Sequence, residues 1–343
     1  MSAPLGFQPV LLWTDALLFA LIGLALLGVA HARANEPLRA AWRKVGKRPT
    51  GMAAATVLLA FVAIGVIDSL HYRPLLPAVE AAAVNAGETV ERAGGASGEG
   101  GRSGAAAPVY STEVLSALDA LLAPLRLQTE KTYSAPFAWQ LYQRETLTLA
   151  DGRQVREFPR LVHGAAHLDA PAAGRGADVA ASVARAFGQA ALWWAGAFLV
   201  LATLVWRGSG LGWGEVAGAM LGGRTVLAWR AALVTLGCIL LIVALCVELA
   251  PRYHVLGTDK VGQDVLYLAL KSVRTALVIG TVTTLVMMPF AVALGIAAGY
   301  LGGWVDDAVQ YVYTVLNAIP GVLLIATAVL MMQVVIDTHP QWF

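Results

Sequence analysis

The chain has 343 residues, of which 58% are hydrophobic and only 13% charged, with a mean hydropathy of +0.66. A soluble globular domain carries about a quarter charged residues, and here the apolar residues collect in runs of roughly 18–25, the length that crosses a bilayer core. A net charge of +2 is too small to suggest nucleic acid, and the bases that do cluster have a membrane explanation.

The first apolar run, at about residues 11–30, is followed by Arg33, Arg39, Arg43, Lys44, Lys47 and Arg48 against one acid, Glu36. Bases of that density mark a cytoplasmic loop, and the first twelve residues carry no Lys or Arg. The N-terminus is therefore expected outside. Small residues at Ala30, Ala32 and Ala34 offer a cleavage site, but no basic region precedes the run, so a retained helix is expected. A second span follows at about residues 52–67, closing an N-terminal pair over 1–68.

Residues 69–186 form a long outer segment. Its Ala, Gly and Ser-rich opening, 81–108, contains the run Gly94 to Gly101 and reads as a flexible linker. A helix is expected next, with Ser111 as N-cap and Val114, Leu115, Leu118 and Leu122 on one face. Residues 146–149 and 154–158 alternate around Asp151-Gly152, a hairpin signal. A small α+β insertion in the periplasm is the result. His163 and His167 have the spacing of a zinc pair but lack the glutamate of a zinc-protease helix, and an ordinary exposed loop is the stronger reading.

Spans three to six are expected at about residues 187–206, 231–250, 275–298 and 308–335. The third, with the loop bearing Arg207, Arg224 and Arg230, makes up 187–230. The expected fold is thus an all-α polytopic membrane protein of about six transmembrane helices with a small periplasmic α+β insertion, since lipid cannot satisfy an open backbone. One conflict stands. Arg252, Lys260, Lys271 and Arg274 fall outside, while the inner loop holding Asp306 and Asp307 has no base. Cys238 and Cys246 lie about 12 Å apart on one helix, too far for a bridge. No metal site, cofactor or nucleophile motif is expected. Ionisable residues deep within spans are few, Asp15 and Glu248 lying near span ends. That argues against a proton or sodium relay and for an external motor. The chain has no phosphate-binding G-x-x-x-x-G-K-[S/T] motif, so the motor belongs to another subunit.

The densest cluster of special residues is Leu256-Gly257-Thr258-Asp259-Lys260-Val261-Gly262-Gln263-Asp264-Val265-Leu266. On composition it is a capped turn at the membrane surface that hands over to a helix, with Asp264 near the helix start and Asp259 free to pair with Lys260 or Arg274. The stretch is similar to the L-G-T-D-x-x-G-R-D-V-L signature of permease subunits of the dipeptide, oligopeptide and nickel ABC importers. Ser272 to Leu277, including Arg274, resembles that family's G-A-R-x-S-L segment. Ala298 to Asp306, with Gly299, Tyr300, Gly302, Gly303, Trp304 and Asp306, resembles its A-G-Y-x-G-G-W-V-D loop, and Pro320 falls where the family carries a helix proline.

The resemblance covers 231–343, about a third of the chain, as a partial permease core. It implies an inner-membrane permease with a second permease, two cytosolic ATPases and a periplasmic solute-binding protein as partners, in contact with membrane lipid. Leu256, Gly257, Thr258, Asp259, Gly262, Asp264 and Arg274 would sit at the periplasmic mouth, and Gly299 to Asp306 at a cytoplasmic-side turn. Pro289 and Pro320 are expected to kink spans five and six, and Asp306 or a neighbour to cap the helix after the turn. Gly295 to Gly299 is a small-xxx-small face, equally fit for simple packing. Gln263 departs from the family arginine, there are more spans before the core than the family has, and its coupling loop lies downstream of the match, so a truncated chain is expected. The alternative is a membrane-anchored sensor or assembly protein that presents 69–186.

Overall fold

The computed structural model describes residues 7–75, 110–148 and 154–342. The linker at 81–108 and the turn at Asp151-Gly152 lie outside them. The chain forms two units, Met1–Val278 and Ile279–Phe343, the boundary lying inside one helix.

In the first unit, strand β1 (Phe7–Val10) leads into helix α1 (Trp13–Ala34). Asn35 alone, in extended backbone, separates α1 from α2 (Glu36–Lys47), and Arg48 alone separates α2 from α3 (Pro49–Asp68). Pro49 at the first turn suits a helix start, where its missing N–H is no loss. Strand β2 (His71–Pro74) follows α3 and pairs antiparallel with β1, Phe7 opposite Pro74 and Val10 opposite His71. The pairing puts the start of α1 and the end of α3 at one end of the unit, the sheet end, and α2 at the other.

Strand β3 (Leu115–Ser116) completes the sheet in the order β1-β2-β3. Helix α4 (Ala117–Leu121) begins there, capped by Ser116, whose Oγ accepts from Asp119 N (3.1 Å) while Asp119 Oδ2 accepts from Ser116 N (2.9 Å). The expected cap at Ser111 is thus corrected: its Oγ closes only a local turn to Glu113 N, and Leu115 is in a strand. The reciprocal Ser116–Asp119 pair satisfies two helix-start donors at once, which Ser111 lacks the partner to do. A short α5 (Ala123–Leu127) follows, and β4 (Glu145–Thr148) pairs with β5 (Gln154–Glu157) as the expected hairpin.

Helix α6 (Pro171–Ser209) has 39 residues, well beyond the 187–206 expected, and ends at Gly210 in the left-handed conformation. At 1.5 Å per residue it is about 58 Å long, nearly twice a hydrocarbon core. Hydropathy registers only the part that lipid would touch; the first turns, bearing Arg175, Asp178 and Arg185, are helical but polar. Helices α7 (Trp213–Gly222) and α8 (Trp229–Leu249) follow. Trp194 on α6 stacks on Phe198, donates to Leu233 O at 2.8 Å and lies against Gly237, where a Cβ would sit 3.1 Å from the indole. Ala202, Val216, Met220 and Leu233 form the buried core of α6, α7 and α8.

Helix α9 (Val265–Leu301) has 37 residues and carries Pro289 in its interior. In the second unit the expected sixth span, 308–335, is two helices, α10 (Gly303–Ala318) and α11 (Gly321–Thr338), with no buried residue in either. Pro320 therefore separates helices and does not kink one. It cannot donate a backbone hydrogen bond, and it drives Ile319 into extended backbone at φ −86°, ψ 124°. Gly302 and Gly303 both take positive φ, 59° and 53°, and Gly302 occupies the cap of α10. Asp306 is not the cap. It lies in the first turn and accepts from Gln310 Nε2 at 3.0 Å.

Six helices among the described residues are long and apolar enough to cross a membrane: α1, α3, α6, α8, α9 and α11. The protein is a multi-pass, mainly helical membrane protein with a small strand-bearing segment between its second and third spans.

Candidate functional site

The loop 250–264 joins the sheet-end termini of α8 and α9, and its shape follows from two glycines. Gly257 and Gly262 have φ of 77° and 82°, in the region that favours glycine. A side chain at Gly257 would overlap the Ser134 carbonyl oxygen, and one at Gly262 the Glu130 carbonyl oxygen. The bare backbone is thus pressed against the irregular stretch 130–136 of the segment after α5. Glu130 N donates to Gly262 O (2.8 Å), Thr258 N to Ser134 O (3.3 Å), Thr258 Oγ1 to Thr132 O (2.8 Å) and Phe137 N to His254 O (3.0 Å).

Beneath this contact lies a fully buried cluster. His254 Nδ1 is 2.8 Å from Asp264 Oδ2, and its Nε2 is 3.3 Å from Glu130 Oε1. The side chains of all three are 0–1% exposed. Burial opposes a charge on His254, but the two carboxylates outweigh it and hold the imidazolium up to about 9. Burial likewise opposes the charge on Glu130, yet His254 and the N–H groups of His163, Val162 and Gly164 bring it down to about 2. Those N–H groups lie 2.7–3.2 Å from the carboxylate. Asp264 also performs the expected helix-start role, its Oδ1 accepting from Leu266 N (2.8 Å) and Tyr267 N (3.3 Å).

A second polar cluster continues along α9. Tyr267, Lys271 and Arg274 are four and three residues apart, hence on one face. Lys271 Nζ reaches Asp68 Oδ1 (2.8 Å), Asp119 Oδ2 (2.6 Å) and Ser116 Oγ (3.0 Å), while Tyr267 OH donates to Asp119 Oδ1 (2.8 Å). Against the burial of Asp119, Lys271 and its other donors hold its carboxyl at about 2. Arg274 Nη1 donates to Asp15 Oδ1 (3.0 Å) and to His71 Nε2 (3.0 Å), and His71 Nδ1 faces Asp15 Oδ2 (2.9 Å). One helix face thereby ties together α1, α3, the three-stranded sheet and α4.

Of the residues singled out in the sequence, Gly257, Thr258, Gly262 and Asp264 converge on the clamp. Leu256 is half-exposed at its edge. Arg274 belongs to the second cluster. Asp259 pairs with neither Lys260 nor Arg274; its Oδ1 accepts from Val261 N and Gln263 N, both at 2.9 Å, closing its own turn. A short side chain bonds its own backbone at less entropic cost than it reaches a distant cation. Gly299, Tyr300, Gly302, Gly303, Trp304 and Asp306 gather around a turn of the second unit, where Tyr300 and Trp304 are exposed and a Cβ added at Gly299 would meet open space. Glu130, His254, Asp15, Asp68, Asp119 and Lys271 were not picked out. The spacing of Tyr267, Lys271 and Arg274 is a local signal for the second cluster only; nothing local marks Glu130 or His254.

His167 pairs with Asp178 (3.0 Å) and His163 contributes its backbone to Glu130. Among the described residues no group of three or more His, Cys, Asp or Glu side chains is arranged to hold a metal ion. An open cleft of about 550 Å³ on the strand-bearing segment is lined by Trp139, Gln140, Tyr142, Phe158 and Arg175.

Part of the chain is similar to permease proteins of peptide transport systems. The glutathione transport system permease protein GsiD of Pectobacterium atrosepticum is 38% identical over 79 residues, 23% of this chain and 26% of that protein. The oligopeptide transport system permease protein OppC of Mycobacterium tuberculosis is 34% identical over 73 residues, 21% and 25% of the two chains. The dipeptide transport system permease protein DppC of Haemophilus influenzae is 30% identical over 80 residues, 23% and 27%. The chain thus spans about a quarter of the length of the curated relatives it matches. No family model matches it, and no solved structure is significantly similar.

Two outcomes follow from the clamp. Gly262→Ala meets both a left-handed backbone and the Glu130 carbonyl, and is expected to destabilise by about 3 kcal/mol or more. Gly295→Ala, with nothing within 4 Å, is expected to be neutral. Thermal unfolding in detergent and amide exchange at 130–136 read the difference. For pH, the folded value of His254 lies above its ordinary 6.5, so its contribution is full below about 6.5 and is lost as pH rises through about 9. Glu130 lies below its ordinary 4.5, so its contribution is full above 4.5 and is lost as pH falls towards about 2. The melting temperature is expected to drop between pH 6.5 and 9.5, and His254→Gln to flatten that drop; an equal drop in both would show the cluster does not titrate there.

Proposed function

We propose that the chain is the transmembrane permease subunit of an ATP-driven ABC importer that moves peptides or similar small solutes across the bacterial inner membrane. The observation that carries this reading is the 30–38% identity to three peptide-system permeases, in a chain with six candidate spans among its described residues. ATP is hydrolysed on a separate subunit, because a phosphate-gripping motif is missing from the sequence. Its partners are a second permease, two cytosolic ATPases and a periplasmic solute-binding protein.

In this reading the sheet end faces the periplasm, with the N-terminus outside and α2 in the cytoplasm. The 256–264 clamp and Arg274 then frame the periplasmic mouth, and the turn from Gly299 to Asp306 lies on the cytoplasmic side. Residues 1–68 form an added helical pair, 69–186 a periplasmic insertion, 187–230 the third span with its loop, and 231–343 the permease core. Gly295 and Gly299, where an added Cβ would meet open space, offer a face on which a second permease helix can approach closely. The aromatic cleft on the strand-bearing segment favours a second reading, a membrane-anchored sensor or assembly protein.

Recovery of the native, full-length gene product in mild detergent, with mass spectrometry of what accompanies it, separates the two. An ATPase and a second permease are expected. Their absence would sink the importer reading and leave the sensor. For orientation, Ala40→Cys in a background lacking Cys238 and Cys246 is expected to resist an impermeant maleimide in intact cells and to react after permeabilisation. Labelling in intact cells would reverse the topology.

A further inference from the structure

Helix α2 is too polar to cross a membrane, yet it cannot leave one. Single residues, Asn35 and Arg48, connect it to the spans α1 and α3, so its whole length of about 18 Å is held within one or two residues' reach of the bilayer boundary. Its side chains divide cleanly. Leu38, Ala41, Trp42 and Val45 recur at helical spacing on one face. Arg39, Arg43, Lys44 and Lys47 occupy the other, with Glu36 at the first turn as the sole acid of the helix.

None of the twelve residues is buried. Leu38, Trp42 and Val45 are 42%, 64% and 46% exposed, although all three are strongly apolar. Among the described residues none of Arg39, Arg43, Lys44, Lys47 or Arg48 forms an ion pair. The end of the helix is pinned: Ala228 N donates to Gly46 O at 2.9 Å and Leu227 packs on Gly46. That contact brings in a segment flanked by two more bases, Arg224 and Arg230. Glu215, on α7, accepts from Gly212 N at 3.3 Å.

We propose that α2 lies in the plane of the membrane surface and binds anionic phospholipid headgroups, its apolar face sunk among the acyl chains. An exposed Trp beside Leu and Val matches the depth where indole rings settle. Long basic side chains on the opposite face extend their charges to lipid phosphates while their stems cover apolar surface. Bases of one sign, with no ion-pair partner among the described residues and fixed within a Debye length of the surface, select anionic over zwitterionic lipid. The site is independent of what the protein transports.

The test uses the full chain purified in mild detergent, with native mass spectrometry of retained phosphatidylglycerol and phosphatidylcholine. Wild type is expected to retain phosphatidylglycerol in clear excess, and the excess to shrink in high salt. The variant R39Q/R43Q/K44Q is expected to lower that retention about tenfold or more, R39K/R43K to preserve it, and Trp42→Ser to weaken it with all charges intact. Equal retention of the two lipids by wild type, a measurement that needs no variant, would overturn the proposal. So would unchanged lipid retention in the triple variant, including the case in which that variant instead loses a co-purifying ATPase, which would make the face a protein-docking surface.

Discussion

One buried imidazolium between two carboxylates fixes the sheet end of this protein. Glu130 belongs to the segment between the second and third spans, His254 and Asp264 to the loop between the fourth and fifth. Removing one member of a buried charged set costs about 3–5 kcal/mol, because the others are left uncompensated. That is several times the worth of an exposed pair such as Lys131 with Glu145. The cluster therefore decides where the segment sits, and the glycines decide how close it comes. Asp264 also starts α9, so the same carboxylate that holds the segment sets the helix from which Lys271 and Arg274 reach back to α1, α3 and the sheet.

Charge pairing accounts for three of the four outer bases in the sequence conflict, leaving Lys260 and the base-free inner loop at Asp306 and Asp307 outside the explanation. Under the proposed orientation Arg252, Lys271 and Arg274 lie on the side where bases are scarce. Each is neutralised locally: Arg252 by Asp178 at 3.3 Å, Lys271 by Asp68 and Asp119, Arg274 by Asp15. The bias that orients membrane proteins concerns bases free to stay on one side. A base held by an acid carries little of that preference, whereas the bases of α2 have no ion-pair partner among the described residues and carry it in full.

How much was legible follows from the range of each interaction. Spans are read from local hydropathy, and all six expected runs contain or overlap an observed helix. Their ends were not legible, because α6 and α9 continue as helix beyond the apolar stretch on turns that bear Asp178, Arg185, Lys271 and Arg274. The split at Pro320 had a local signal, the extended preference of Ile319, but the apolar run across it masked the break. The β4–β5 hairpin was legible from alternation around a turn pair. Strand β1 was not, because four residues at the edge of a span look like the span itself. Glu130 and His254 are 124 residues apart, as are Thr258 and Ser134. No periodicity links such pairs, and only the fold brings them together.

The signature-like loop itself changes meaning once its contacts are known. Gly257 and Gly262 are required by the approach of another backbone, Thr258 bonds that backbone, and Asp264 holds a histidine and a helix start. All four act inside the chain. The departure at Gln263 fits the same account. Its backbone N–H donates to Asp259 Oδ1 and its carbonyl accepts from Asp259 N, each at 2.9 Å, while its side chain is exposed. The loop uses position 263 for its main chain, so replacing an arginine there by glutamine leaves the clamp intact and alters only what the outer surface presents. A motif that resembles a permease signature is thus explained here by folding constraints alone. Under the proposed function, any contact of this loop with a solute falls to exposed side chains such as Leu256 and Gln263, and not to the glycines and aspartates that make the motif recognisable.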